Sequence, residues 1–152
     1  MKKLNELQSR IGYDFNDIEL LKTALTHTSY ANEHKRRMIK HNERLEFLGD
    51  SVLSLIITTY LFKNLSSITE GELSRIRSTI VCENSLKMSG DQFDLSHYTY
   101  MGRGEEQTGG RNRSSIVSDA MEALIASIYL DSGYESAERF VLSQMKDIID
   151  KA

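Results

Sequence analysis

Residues 42–53 constrain this chain more than any other segment, because they place three carboxylates within an otherwise apolar stretch. An α-helix advances about 100° per residue, so Glu43, Glu46 and Asp50 fall within an arc of roughly 60°. Like charges at this spacing repel one another and weaken an isolated helix. The other side carries an apolar stripe at helical period, which predicts burial against a core. Its members are Leu45, Leu48, Val52, Leu55 and Ile56.

A second acidic pair, Asp119 and Glu122, lies in a later apolar segment and faces away from another apolar stripe. That stripe comprises Val117, Met121, Leu124 and Ile128. On the acidic side the neighbours are small, Ala123 and Ala126. A glycine inside a helix costs about 1 kcal/mol relative to alanine, so Gly49 in the first acidic segment indicates close approach of a neighbour. We therefore expect the two acidic faces to meet.

Two interpretations of these acidic pairs are compatible with their spacing. Each pair alone is typical of a solvated helix face, whereas carboxylates held beside a core need a compensating charge. Hard cations such as Mg²⁺ and Mn²⁺ take oxygen ligands, and the lack of nearby His or Cys argues against zinc. A ferritin-like di-iron bundle also uses inward-facing carboxylates, but it requires Glu-x-x-His pairs, which this sequence does not contain.

The sequence of residues 42–50, NERLEFLGD, resembles without a gap the signature motif of the ribonuclease III family. Other segments that are similar to the family lie at residues 24–30, 70–74, 102–106 and 119–124. The resemblance extends from residue 10 to the end of the chain. It implies an all-α, compact multi-helix endonuclease domain of the bacterial type, dimeric and spanning residues 1–152.

The resemblance also implies an activity, which is Mg²⁺-dependent endonucleolytic cleavage of double-stranded RNA, with Mn²⁺ able to substitute. The products are expected to carry 5′-phosphate and 3′-hydroxyl ends with a short 3′ overhang, in rRNA and mRNA processing. The residues that match the family's metal cluster are Glu46, Asp50, Asp119 and Glu122. Of these, Asp50 and Glu122 are expected to be the most critical for hydrolysis.

Three further positions match the family in other roles. Glu70 matches an auxiliary carboxylate that lines the cleft, and Glu43 and Phe47 match positions at the dimer interface of a homodimer. Phe47 also lies off the apolar stripe, where a partner chain can cover it. Ser114 and Ala126 depart from the family pattern, which commonly has proline and glycine there, but neither departure removes a ligand.

The alternative function is that of a non-catalytic relative that binds double-stranded RNA in a ribonucleoprotein. Such a relative is expected to have lost metal ligands, and all four are present. The net charge of −3 is unusual for a nucleic-acid binder. Basic residues nevertheless cluster at Lys35, Arg36, Arg37 and Lys40 and around the glycines at 102–110, and each cluster is either a solvated loop or a contact to RNA. In the second cluster, the candidate contacts to the RNA backbone are Arg103, Arg111 and Arg113. No P-loop is present, so no nucleotide cofactor is expected.

The remaining features predict a cytoplasmic protein. The N-terminus lacks an apolar signal region, and residues 52–62 are too short and too closely flanked by charge to span a membrane. Cys82 is the only cysteine, which excludes an internal disulfide, and we expect it within a core helix. Bacterial-type members usually carry a C-terminal domain that binds double-stranded RNA. Without it, RNA binding is expected to be weak, salt-sensitive and poorly sequence-selective.

Helical periodicity predicts seven helices, at residues 3–11, 16–27, 41–63, 69–80, 83–93, 115–131 and 134–150. Thr69 and Glu72 have the spacing of a capping box at the start of the fourth helix. Gly133 is expected to end the sixth helix. The absence of proline agrees with long uninterrupted helices.

Overall fold

A computed structural model describes residues 2–152, and in this range the chain forms ten α-helices and no β-strand. The helices are α1 (Lys2–Ile11), α2 (Ile18–Ala24), α3 (Thr28–Glu33), α4 (Glu43–Asn64), α5 (Glu70–Ile80), α6 (Glu83–Asp91), α7 (Arg103–Gln107), α8 (Ser114–Ser132), α9 (Tyr134–Gln144) and α10 (Lys146–Lys151). Short 3₁₀ turns lie at Lys35–Arg37, Leu95–Tyr98 and Gly110–Asn112. The predicted all-α class is confirmed.

Helix α8 lies at the centre of the hydrophobic core. Between Val117 and Ile128 every residue except Asp119 is buried, as expected for a helix that is apolar nearly all round. Its most extensive contact is with α4, and α2, α6 and α9 also pack against it. The predicted apolar stripe of α8 is confirmed.

A separate apolar cluster joins α2, α4 and α8 where small side chains meet. It comprises Ala24, Leu45, Ala123 and Ala126. Because three of the four members are alanines, the helix backbones can approach closely at this point. This close approach brings the N-terminal half of α4 against the middle of α8.

The predicted stripe of α4 is confirmed at Leu45, Val52 and Ile56, which are buried, but the buried face also differs from the prediction. Leu55 is 56% exposed, whereas Leu53 and Ile57 are fully buried. Leu53 and Ile57 each follow a carboxylate of the acidic arc, Glu46 and Asp50, by two helical turns. The acidic side of α4 therefore continues directly into the core, because α8 crosses α4 on that side.

By length and composition, α4 meets the requirement for a membrane-spanning helix. The apolar segment at residues 52–62 is only part of this helix, which has 22 residues. The core helix of a soluble protein meets the same requirement. In this fold Leu53, Ile56 and Ile57 of α4 are fully buried.

The predicted helix at residues 16–27 ends early, at Ala24, because its last residues bond to a distant segment. The N–H of Tyr100 donates to the Leu25 carbonyl (2.8 Å), and the His27 N–H donates to the Tyr100 carbonyl (3.0 Å). His27 then begins α3, with its Nδ1 accepting from the Ser29 N–H (3.1 Å). Sequence periodicity missed α3.

Three other boundaries also differ from the prediction or refine it. Helix α7 was missed because it is five residues long, and the predicted helix at 134–150 divides at the buried Met145. Cys82 was expected in a core helix, but it is exposed at the N-terminal boundary of α6. The chain turns here because the Ser85 hydroxyl donates to the Thr79 carbonyl (2.7 Å).

Two terminal signals were predicted correctly. The Thr69 hydroxyl accepts from the Glu72 N–H (3.3 Å) at the start of α5, although the Glu72 carboxylate binds Arg75 (2.9 Å) rather than closing the capping box. Gly133 follows α8 with φ +98°, and its N–H donates to the Tyr129 carbonyl (2.8 Å).

Asp131, near the end of α8, fastens the segment between α1 and α2 to the core. Its carboxylate accepts from the Tyr13 hydroxyl (2.5 Å) and from the N–H groups of Asn16 (2.9 Å) and Asp17 (2.8 Å). These hydrogen bonds outweigh the effect of partial burial and lower the pKa of Asp131. The N-terminal helices are thereby held to the helix that carries the acidic pair.

Candidate metal centre

Helices α4 and α8 bring together three of the predicted carboxylates. One oxygen from each of Glu46, Asp119 and Glu122 lies within 4.8 Å of the others. Glu122 is 8% exposed, and Glu46 and Asp119 are partly buried. The cluster therefore joins both acidic pairs at the edge of the core.

Gly49 makes this convergence possible. A Cβ atom at this position would lie 1.8 Å from the carbonyl oxygen of Glu122 and 2.5 Å from its carbonyl carbon. Only glycine allows the backbone of α4 to lie this close to α8. The prediction that Gly49 serves close approach of a neighbour is confirmed.

The carboxyl groups of the cluster have raised pKa values. Burial, followed by the adjacent Asp50, raises the pKa of Glu122 to about 8. Burial, followed by the charge of Asp119, raises the pKa of Glu46 to about 7. Burial also raises the pKa of Asp119. Without a cation, part of this cluster therefore holds protons at neutral pH.

Asp50 lies beside Glu122 at the exposed edge of the cluster. It is outside the set of three converging oxygens, yet it is the largest electrostatic influence on Glu122 after burial. Its exposure distinguishes it from the buried Glu122. Asp50 thus lies on the solvent-facing side of the cluster.

Two ionisable neighbours of Asp119 were not predicted as part of the site. His27 lowers the pKa of Asp119, and Glu83 raises it. Glu83 accepts a hydrogen bond from the Ser114 hydroxyl (2.8 Å), which links the first residues of α6 and α8. His27 lies in the family-like segment at residues 24–30, whereas the spacing of Glu83 carries no signal.

The donor set fits a hard divalent cation. All three converging ligands are carboxylate oxygens, which suit Mg²⁺ or Mn²⁺ rather than zinc. Burial first, and then the neighbouring carboxylates, raise the pKa values of Glu46 and Glu122, so their mutual repulsion is left uncompensated. A bound cation would remove that repulsion.

Glu70 lies apart from this cluster in the described chain. It is exposed on the first turn of α5, and the Ser74 hydroxyl donates to it (3.3 Å). It lines a shallow groove of about 300 Å³ with Thr58, Phe62 and Arg77. Since Thr58 follows Asp50 by eight residues, the groove is about 12 Å further along α4.

The two residues expected at a dimer interface lie on the first turns of α4. Phe47 is 80% exposed. Glu43 is also exposed, and its charge contributes to the raised pKa values of Glu46 and Asp119. Glu43 is therefore electrostatically part of the cluster's surroundings.

Two of the three arginines expected to contact RNA form hydrogen bonds and ion pairs with other residues of the chain. Arg111 donates to the carbonyls of Ser96 (2.7 Å) and Thr99 (2.9 Å) and pairs with Glu106 (2.6 Å). Arg113 pairs with Glu105 and donates to the Thr108 carbonyl. These contacts hold the loop between α7 and α8.

Arg103 differs from them. It is exposed, and its side chain makes no hydrogen bond or ion pair within residues 2–152. Of the three arginines, it is the one available to a ligand.

A family model described as Ribonuclease-III-like matches residues 17–148, which is most of the chain. The chain belongs to the ribonuclease III family. The fold agrees with this assignment, since the nuclease domain of ribonuclease III from Campylobacter jejuni superposes with a TM-score of 0.88. That match has 38% sequence identity and covers 95% of this chain and 96% of the other. The Campylobacter domain is described as having structural flexibility in a region involved in dimer formation.

Relatives within the ribonuclease III family are closer still in sequence. Ribonuclease 3 from Clostridium tetani is 56% identical over 149 residues, and that from Clostridium perfringens is 53% identical over 154 residues. These matches cover 98% and 100% of this chain but 63% and 64% of the relatives. The chain therefore spans less than two thirds of the length of these relatives.

Proposed function

We propose that residues 1–152 form the catalytic domain of an endoribonuclease that requires a divalent cation. It hydrolyses phosphodiester bonds of double-stranded RNA and leaves 5′-phosphate and 3′-hydroxyl ends. The observation that carries this proposal is the convergence of Glu46, Asp119 and Glu122 within 4.8 Å in a ribonuclease III fold. The relatives named Ribonuclease 3 support it.

In this proposal Glu46, Asp119 and Glu122 hold Mg²⁺, with Asp50 at the exposed edge, and Mn²⁺ can substitute. When bound, the cation lowers the pKa of an attacking water and stabilises charge on the departing 3′ oxygen. Asp50 and Glu122 are the two residues on which hydrolysis depends most. Glu70 is retained as an auxiliary carboxylate of the cleft.

The protein's own contribution is rigid placement of these groups. Glu122 lies on the buried axis of the fold, and the backbone of α4 lies against it at Gly49. Its carboxyl group must release a proton when a cation binds, because its pKa is about 8 in the absence of one. Ligands held by packed helices keep the geometry that hydrolysis requires.

A homodimer is the second part of the proposal. Phe47, Leu55 and Phe62 are 80%, 56% and 73% exposed, and their positions on α4 fall within an arc of roughly 80°. An exposed apolar face of this kind is typical of an interaction site. A two-fold arrangement of two chains would cover this face and present two acidic clusters to one duplex.

The proposed setting is the cytoplasm, with rRNA and mRNA precursors as substrates, and without a nucleotide cofactor or a membrane. The alternative, a non-catalytic relative that binds double-stranded RNA, is disfavoured by the intact carboxylate cluster. Loss of ligands would be expected in a chain that retained only binding.

The test is cleavage of a long RNA duplex at low salt, with Mg²⁺ or with EDTA. The variant Glu122→Gln keeps the shape of the side chain and removes a ligand, and Glu135→Gln, exposed on α9, is the matched control. Substituting the residues that hydrogen-bond to metal ligands reduces metal affinity or activity about 10- to 100-fold. Loss of the ligand itself should therefore reduce the cleavage rate at least about 100-fold. Cleavage should require Mg²⁺ and persist in the control. Binding of the duplex without cleavage by the unaltered chain would instead support the non-catalytic alternative.

A further inference from the structure

The arginines of this chain divide into two groups by their contacts. Six of the ten bond to other side chains or to backbone carbonyls: Arg10, Arg75, Arg77, Arg111, Arg113 and Arg139. The other four make no side-chain hydrogen bond or ion pair anywhere in residues 2–152. They are Arg36, Arg37, Arg44 and Arg103. Unpaired arginines are therefore confined to the segment before α4, the first turn of α4, and α7.

These segments adjoin one another through the end of α3. The Glu33 carboxylate accepts from the Gly104 N–H (3.3 Å), and a Cβ atom on Gly102 would lie 2.5 Å from that carboxylate. Arg103 therefore lies beside the residues that immediately follow α3. We refer to this surface as the basic ridge. It comprises Lys35, Arg36, Arg37, Lys40 and Arg103, and the two lysines likewise lack ion-pair partners among the described residues.

Contacts with α2 and α3 hold the segment that carries Lys35 to Lys40 at both of its ends. His34 stacks on Tyr30 with ring centroids 4.2 Å apart, and its Nδ1 donates to the Tyr30 carbonyl (2.8 Å). At the other end the buried Asn42 donates from its side chain to the Ala24 carbonyl (3.0 Å) and from its N–H to the Thr26 carbonyl (3.0 Å). Its cations are thus presented on a defined backbone rather than on a free loop.

The backbone within the basic ridge is also unusual. The 3₁₀ turn at Lys35–Arg37 ends at Met38, which has φ +50° and is 87% exposed. A non-glycine residue in the left-handed region is disfavoured, and such residues concentrate at functional sites. Met38 therefore places an exposed apolar side chain between Arg37 and Lys40 of the basic ridge.

The basic ridge lies at the same end of the molecule as the metal centre. Helix α3 has six residues and is about 9 Å long. His27, at its start, acts electrostatically on Asp119, and Lys35 follows its end. A strand with its scissile phosphate at the carboxylates would therefore have neighbouring phosphates within reach of these cations.

We propose that the basic ridge binds the phosphate backbone of an RNA duplex beside the scissile bond, in place of Arg111 and Arg113. The identity of the polyanion rests on the proposed function. Unpaired surface cations gain most from a phosphate backbone, because binding releases counterions without breaking internal ion pairs. Double-stranded RNA is recognised largely through such backbone contacts. The local positive surface also explains how a chain of net charge −3 engages a polyanion.

The test compares two triple variants of the full chain for binding to a labelled RNA duplex in EDTA, over a range of salt concentrations. The first carries Lys35→Gln, Arg36→Gln and Arg37→Gln. Its dissociation constant at low salt should rise about tenfold or more, and its salt slope should fall by about 2 to 3, since each lost phosphate contact removes nearly one unit. The three side chains are exposed, so thermal unfolding should match that of the unaltered chain.

The matched control carries Arg139→Gln, Lys146→Gln and Lys151→Gln, which removes the same charge from α9 and α10. Its dissociation constant for the duplex should change by less than about threefold, because salt screens the attraction between the duplex and charges that lie far from it. Equal weakening in both triple variants, or unaltered binding by the first, would overturn the role of the basic ridge. Absence of any binding by the unaltered chain at low salt would also overturn it.

Cleavage in Mg²⁺ separates this inference from the proposed function. A chain that binds through the basic ridge but does not cut would overturn the proposed endonuclease and leave the ridge supported. A chain that cuts, and whose first triple variant binds and cuts normally, would overturn only the ridge. Loss of binding in the first variant, with cleavage recovered at high protein concentration, is the result expected if both hold.

Discussion

Gly49 on α4 lies against the peptide group of Glu122 on α8, so a residue of the carboxylate cluster also forms a close contact between the two helices. A side chain at Gly49 would overlap the Glu122 backbone, and displacement of Glu122 would open the cluster. Stability and ligand geometry are therefore coupled at this point.

The substitution Gly49→Ala should destabilise the protein by more than about 2 kcal/mol, because its methyl group would require the helices to separate. The control is Gly71→Ala in α5, where a Cβ atom has no neighbour within 4 Å. Alanine there should stabilise by about 0.5–1 kcal/mol through helix propensity. Urea unfolding of both variants measures the difference. Equal free energies of unfolding for the two variants would refute the close contact.

The stability of the metal-free protein should fall as the pH rises toward 8. The pKa values of Glu122 and Glu46 are about 8 and 7 in the folded chain, above their ordinary value of 4.5. Between pH 4.5 and 8 the folded state binds more protons than the unfolded state. The stability that these bound protons provide is therefore complete below about pH 4.5 and is lost progressively as the pH rises to about 8. We expect a loss on the order of 2 kcal/mol in EDTA, measured by urea unfolding at a series of pH values.

Two controls accompany this pH series. The double variant Glu46→Gln/Glu122→Gln should show a much smaller dependence, because neither amide titrates. Saturating Mg²⁺ should abolish the loss at high pH, since a cation favours the charged carboxylates. An unchanged pH dependence in the double variant would show that other groups are responsible.

Replacement of Asp131 by alanine should cost about 1–2 kcal/mol, because the N–H groups of Asn16 and Asp17 lose their acceptor and the Tyr13 hydroxyl keeps only its contact with Ser132. Since the pKa of Asp131 lies below its ordinary value of 3.8, its contribution is present above that pH and is lost as the pH falls. The control is Asp14→Ala, which removes an exposed carboxylate from the same segment. Thermal unfolding at neutral and acidic pH distinguishes them, and similar melting curves at neutral pH would contradict the prediction.

The substitution Phe62→Asp should dissociate the proposed homodimer. A charge placed in an apolar interface removes burial and adds a desolvation cost, so the dimer dissociation constant should rise at least about 100-fold. Met88→Asp on α6 is the matched control, because Met88 is 54% exposed and lies on another helix. Sedimentation at micromolar concentration measures the effect. A monomeric unaltered chain would count against the dimer itself.

The predictions that succeeded depend on local spacing. The acidic positions of α4 and α8, the stripe of α8, and the role of Gly49 follow from helical periodicity and from the absence of a side chain. Both are properties of short segments, and the printed sequence contains them in full. The resemblance of residues 42–50 to the ribonuclease III signature added an expected set of metal ligands, which spacing alone left open and which stays a prediction.

Contacts between distant segments determined the features that the sequence did not predict. Leu55 and Leu53 are equally apolar, but only the crossing of α8 determines that Leu53 is buried and Leu55 exposed. Arg111 and Arg103 look alike in sequence, yet carbonyls at Ser96 and Thr99 engage one and leave the other free of internal bonds in the described chain. Sequence determined which residues can bind a cation or a phosphate, because side-chain chemistry is local. Tertiary structure decided which of them remain available, because packing partners come from elsewhere in the chain.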